Sequence, residues 1–195
     1  MNLNKVLTLT LSILALNLSS YNKTYAENIS YLNKGNQHFE QYVNTQNKQE
    51  LENAYFNYYK ASQTTPCASS FLGMGMVFIE KDMYSRAKIY LYKAYNIDEN
   101  DATTNYYLGK FYFKNEEFVK ALDFYTRAFE LGLSDNYDLN LKIATIYEKV
   151  GDFEQAKNYY ETAQNLNPAD TSLKNKSQYL DNLNANKIKY FSEWD

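Results

Sequence analysis

The stretch Asn105–Leu131, NYYLGKFYFKNEEFVKALDFYTRAFEL, sets apolar residues at Tyr107, Leu108, Phe111 and Tyr112, then at Phe118, Ala121, Leu122, Tyr125 and Ala128. Both sets keep the three-and-four spacing of one helix face. The polar Lys114-Asn115-Glu116 between them predicts a short turn, so the stretch reads as a helical hairpin. Outward from it, alanines recur in pairs seven residues apart: Ala54 and Ala61, Ala87 and Ala94, Ala121 and Ala128, Ala156 and Ala163. Successive pairs start 33, 34 and 35 residues after the one before. A period in this range marks a solenoid, whose units bury their apolar faces only against their neighbours. Two prolines and six glycines in 195 residues favour long uninterrupted helices.

The chain begins with features of an export leader, which is set apart from the fold. Lys5 precedes the apolar run Val6–Leu18, and Thr24-Tyr25-Ala26 places small residues at the two positions a signal peptidase inspects. Cleavage after Ala26 is expected, giving an exported bacterial protein, periplasmic or extracellular, without an integral membrane segment. The rival is an uncleaved anchor, but 13 apolar-run residues diluted by Thr8, Thr10, Ser12 and Asn17 fall short of the roughly 20 that span a bilayer. Loss of Lys5 and Lys23 leaves 18 basic and 23 acidic side chains, a net charge of about −5. That balance argues against nucleic acid as a partner. Cys67 is the single cysteine, so no internal disulfide supports the fold.

Across three units the residues resemble the tetratricopeptide repeat family. In the third unit its pattern falls on Leu108-Gly109, Tyr112, Phe118, Ala121, Tyr125 and Ala128. In the second it falls on Phe71, Met74-Gly75, Phe78, Tyr84, Ala87, Leu91 and Ala94, and in the fourth on Ile143-Ala144, Tyr147, Gly151, Phe153, Ala156, Tyr160, Ala163 and Pro168. Sel1-like repeats are a rival, since Ala128–Gly132 resembles their ends, but their longer glycine-bearing inter-helix loop is missing. The resemblance implies an all-α fold, a right-handed α-solenoid of helix-turn-helix repeats with a C-terminal capping helix. It divides the chain into a leader (1–26), an atypical first hairpin (27–67), repeats at 68–101, 102–136 and 137–170, and a capping helix with an aromatic tail (171–195).

Gly75, Gly109 and Ala144 are expected where the two helices of a hairpin cross, and most of the 21 tyrosines as packing between the small residues. The first unit departs from the pattern. Gly35 precedes Ala54 by 19 residues where Gly109 precedes Ala121 by 12, so Gly35 is not expected to hold the usual glycine position. The seven extra residues are expected to lengthen the helices or the loop at 44–49. Leu173, Tyr179, Leu180 and Leu183 are read as one amphipathic capping helix.

Catalytic chemistry finds little support. His38 is the only histidine, Gly73-Met74-Gly75 is half of a nucleotide-binding loop with no strand before it, and Glu116-Glu117 and Asp98-Glu99 fall in turns. No enzyme activity, cofactor or metal is expected. The resemblance implies instead a groove lined by the first helices of the repeats: Leu72, Met76 and Ile79 with Glu80, then Tyr106, Lys110, Phe113 and Lys114, then Leu141, Thr145, Glu148 and Lys149. Relatives that grip a chaperone's C-terminal carboxylate use Lys and Asn at set groove positions. Leu72, Tyr106 and Leu141 stand at the first of these here, and Met76 and Thr145 at the second, so that clamp is absent. The expected partner is a protein or peptide segment with apolar anchors, bound by an envelope scaffold; the alternative is a periplasmic chaperone or secretion accessory holding unfolded clients. Tyr190, Phe191 and Trp194 in the tail are candidate partner anchors.

Overall fold

The computed structural model describes residues 3–192, and the side chains of residues 14–186. All regular structure in them is helical: α1 Leu3–Thr45, α2 Lys48–Thr64, α3 Ala68–Glu80, α4 Tyr84–Ile97, α5 Ala102–Lys114, α6 Phe118–Ala128, α7 Tyr137–Val150, α8 Phe153–Leu166 and α9 Lys176–Ser192. Two compact units divide the chain, Met1–Asp98 and Glu99–Asp195. The first holds the hairpins α1–α2 and α3–α4; the second holds α5–α6, α7–α8 and α9.

Within a hairpin the crossing is set by a small residue on the first helix and a large one on the second. A Cβ on Gly75 would stand 2.6 Å from Leu91 Cδ2, and one on Gly109 would enter the Tyr125 ring. In α7–α8 the pair is Ala144 and Tyr160, both buried. Each pair is 16 residues apart. All eight periodic alanines are fully buried at 0 % exposure, so each helix presents a nearly bare backbone to what packs on it. Ala121→Leu is expected to overpack that contact and lower stability by about 1–3 kcal/mol, read from the midpoint of urea unfolding.

The first unit corrects the expectation for Gly35. A Cβ there would stand 2.6 Å from Tyr58 Cε1, so Gly35 does hold the crossing position, facing Tyr58 across 23 residues of chain. The insertion lies in the helices. After the crossing glycine, α1 runs ten residues where α5 runs five, and α2 has ten residues before Tyr58 where α6 has seven before Tyr125. Added turns leave the crossing face in register, which a lengthened loop alone does not require.

Turn geometry explains the remaining residue of difference. Hairpins α3–α4, α5–α6 and α7–α8 close alike. Met83 N–H donates to Phe78 O (2.8 Å), Glu117 N–H to Tyr112 O (3.0 Å) and Asp152 N–H to Tyr147 O (2.9 Å), each around a left-handed residue. Those residues are Asp82 (φ 55°), Glu116 (φ 60°) and Gly151 (φ 78°), so each turn is a Schellman closure. The α1–α2 turn is one residue shorter and closes by Gln46 N–H to Tyr42 O at 2.7 Å, with Gln46 at φ 56°. Left-handed backbone disfavours residues with a Cβ. Gln46→Gly is therefore expected to raise stability by about 0.5–1 kcal/mol, seen as a higher unfolding midpoint.

Side chains fasten the helix starts. Asn47, Asp101, Asn136 and Asp152 accept from Gln49, Thr104, Leu139 and Gln155 N–H respectively. Buried Asn105 and Asn140 repeat one arrangement, each amide donating to the carbonyls four and six residues earlier at 2.7–2.9 Å. Asn28 donates to Ala61 O and Thr65 O (2.8 and 2.9 Å), tying α1 to the end of α2 two residues beyond Ala26. Helix α1 itself runs unbroken through Ala26. Leu14, Leu16, Leu18, Tyr21 and Tyr25 on it are exposed. No helix among the described residues is long and apolar enough to cross a membrane.

The segment after Pro168 is two elements where one helix was expected. Leu173 ends a short tight turn, Thr171–Leu173, and α9 begins at Lys176. Leu173 and Leu180 are buried with Ala144, Ala156, Tyr160 and Ala163, and Leu183 packs on that cluster. Tyr179 is 50 % exposed and does not join it.

Candidate peptide-binding face

In the second unit the site begins at the α5–α6 turn. The Schellman closure brings Phe113, near the end of α5, against Phe118, the first residue of α6; their rings meet edge-on at 5.8 Å. Helix α7 carries Lys142 and Lys149, seven residues apart and hence on one face. Lys142 Nζ lies 5.2 Å from the Phe113 ring centre and Lys149 Nζ 5.3 Å from that of Phe118. With Lys114 and Glu116 these side chains line an open cleft of about 270 Å³. Among the described residues, Asp138 at 3.8 Å is the ion-pair partner of Lys142. Asp138 also accepts from Tyr106 OH at 2.6 Å.

The expected groove residues separate into two groups. Tyr106, Lys110, Phe113 and Lys114 share one face of α5: Phe113 and Lys114 line the cleft, the Tyr106 ring meets that of Tyr125 at a tilt (6.0 Å), and Lys110 covers the Tyr107 ring at 5.6 Å. Leu141, Thr145 and Glu148 on α7 are engaged within the unit. Leu141 packs on the cluster of Leu173 and Leu180. Thr145 OH donates to Leu141 O at 2.7 Å, and Glu148 accepts from Tyr160 OH (2.7 Å) and Lys176 Nζ (2.8 Å). Helix α9 thus occupies the face of α7 that the groove reading assigned to a partner. In the first unit Leu72 and Met76 are half-buried, while Ile79 is 3 % exposed and sits in the core, with no surface to offer. Tyr190, Phe191 and Trp194 lie outside the residues whose side chains are described.

Phe118 and Lys142 were not among the expected site residues. Phe118 reads in sequence as a packing aromatic, and Lys142 as the polar neighbour of Leu141; the seven-residue spacing of Lys142 and Lys149 was the available signal. No group of three or more His, Cys, Asp or Glu side chains gathers as a metal site among the described residues.

The buried tyrosines give this face a pH limit. Burial, reinforced by the Asp138 carboxylate, pushes the Tyr106 phenol far above its usual range; burial does the same to Tyr58, Tyr125 and Tyr160. The hydrogen bonds to Asp82 and Asp170 push Tyr84 and Tyr137 up to about 12. A folded-state pKa above the unfolded one gives stability that is complete below about pH 10 and is lost as pH climbs toward the folded values. Helix content at 222 nm is expected to hold to about pH 10 and fall above it, together with the delayed rise of tyrosinate absorbance. Tyrosines titrating near pH 10 with helices intact contradict the burial.

Sequence comparison bears on these hairpins directly. The tetratricopeptide repeat family model matches residues 68–101 and 137–170, the spans of α3–α4 and α7–α8. Those two hairpins belong to the tetratricopeptide-repeat family. Among solved structures, MamA has 21 % identity and a TM-score of 0.62, covering 85 % of this chain and 88 % of its own. PilF of Pseudomonas aeruginosa has 18 % identity and a TM-score of 0.67, covering 87 % and 72 %. YrrB, described as a tetratricopeptide-repeat protein with an unusual peptide-binding site, has 24 % identity and a TM-score of 0.59, covering 77 % and 74 %. These likenesses share the tetratricopeptide-repeat fold. Comparison with curated protein sequences gives no match.

Proposed function

We propose that this protein is an exported interaction scaffold of a bacterial envelope that holds a peptide segment of a partner on the α5–α7 face. The cleft of Phe113, Phe118, Lys114, Lys142 and Lys149 carries the reading, because it stays open where α9 covers the neighbouring groove positions on α7. Two apolar anchors buried at roughly 1.5–3 kcal/mol each, against several kcal/mol of association cost, give only weak binding by themselves, so the lysines must contribute the rest. Export is supported by the leader pattern ending at Ala26. Asn28 stays on the mature side of that bond and keeps its tie to α2.

The test is a crosslinked pull-down with the exported protein and a Lys110→Glu/Lys114→Glu variant of unchanged helix content. One enriched partner, lost in the variant, supports the scaffold. Many weak clients captured equally by both forms favour a chaperone and remove this face from the function.

A further inference from the structure

We propose that the partner segment is acidic and carries an adjoining apolar side chain, an inference that rests on the peptide-binding reading above. Three ammonium groups and one carboxylate, Glu116, line the cleft, in a chain whose net charge is −3. The positive charge is therefore concentrated here against the sign of the whole molecule, and it selects anions. Lys142 and Lys149 stand over the Phe113 and Phe118 rings. The rings hold both ammonium groups in place, Lys142 with the Asp138 carboxylate at 3.8 Å beside it, so an incoming carboxylate meets donors already positioned.

The second half of the recognition lies on the other side of Phe118. Phe118, Val119 and Val150, with Glu116, Glu117 and Lys120, line an open and largely apolar depression. Val119 is 76 % and Val150 59 % exposed. Phe118 and Glu116 belong to both walls, so the two depressions adjoin. A segment crossing them places acidic side chains on the lysines and a leucine or phenylalanine on the valines. Three lysines are too few for nucleic acid, where roughly 6–10 phosphate contacts sustain binding. The apolar depression favours a peptide over a bare anionic surface.

The test uses the full chain and three fluorescein-labelled peptides: Gly-Asp-Asp-Glu-Asp-Leu-Phe-Gly, its Asn/Gln counterpart, and the acidic sequence with Ser-Ser for Leu-Phe. The first is expected to bind at least tenfold more tightly than either of the others and to weaken steeply with salt. Lys149→Glu and Lys114→Glu, both at exposed positions, are expected to cost the acidic peptide at least tenfold, with helix content unchanged. Equal binding of the acidic and amide peptides overturns the inference and leaves peptide binding standing. Binding of none of the three overturns it as well, and the pull-down above then decides whether the scaffold reading survives. Lysine-dependent binding to phosphatidylserine vesicles, without peptide binding, also overturns it.

Discussion

Tyr58→Ala is expected to lower stability by about 3–5 kcal/mol, a large share of the 5–15 kcal/mol typical of a domain. The ring is 1 % exposed and fills the space left by two glycines: a Cβ on Gly35 would stand 2.6 Å from it, and one on Gly73 would overlap it. Its hydroxyl donates to Asn36 Oδ1 at 2.9 Å. Removal opens a cavity bordered by α1 and α3 backbone, which cannot collapse without shifting whole helices. Tyr58→Phe keeps the packing and loses one hydrogen bond, so about 1 kcal/mol is expected. Urea unfolding of the two variants separates the terms. A loss below about 1 kcal/mol for Tyr58→Ala would show that the glycine–tyrosine crossing does not hold the first unit together.

Gly109→Leu is expected to reduce stability by about 1–3 kcal/mol or more. The Tyr125 ring already occupies the position of the new Cβ and is itself fully buried, so it has nowhere to swing. The α7–α8 hairpin provides an internal comparison, since it builds the same crossing from Ala144 and Tyr160. Ala144→Gly is expected to cost only about 1 kcal/mol, the loss of helix propensity. Tyr125→Phe is expected to be close to neutral, because the buried hydroxyl has no hydrogen-bond partner among the described residues. Thermal unfolding monitored by circular dichroism ranks the three. Gly109→Leu as stable as the parent would mean that the helices do not need this close approach.

The hairpins were legible because close helix crossings demand small residues at fixed intervals, and Ala54 through Ala163 supply them. Turn conformation was not legible. Gly151 announces a left-handed residue, but Gln46, Asp82 and Glu116 adopt the same backbone without glycine, held by the closures around them. Gly35 was misread because the count ran along the chain, whereas two added helical turns leave the crossing in place. The site was legible on α5 and less so on α7. There the family pattern locates Leu141, Thr145 and Glu148 on the inner helix, but it cannot reveal that Lys176 and Leu180 of α9 come to rest against that face. Lys142 was missed because its role depends on the Phe113 ring, 29 residues earlier in the chain.

The most direct test of the account is site-specific photocrosslinking in the cells that make the protein. A benzophenone side chain is placed at Lys114 or Val150, on the two depressions, or at exposed Asp123 on α6, which lines neither. The account predicts one crosslinked partner from the first two positions, joined through a segment rich in Asp and Glu, and none from Asp123. Equal crosslinking from all three positions, or crosslinking from Asp123 alone, would contradict it.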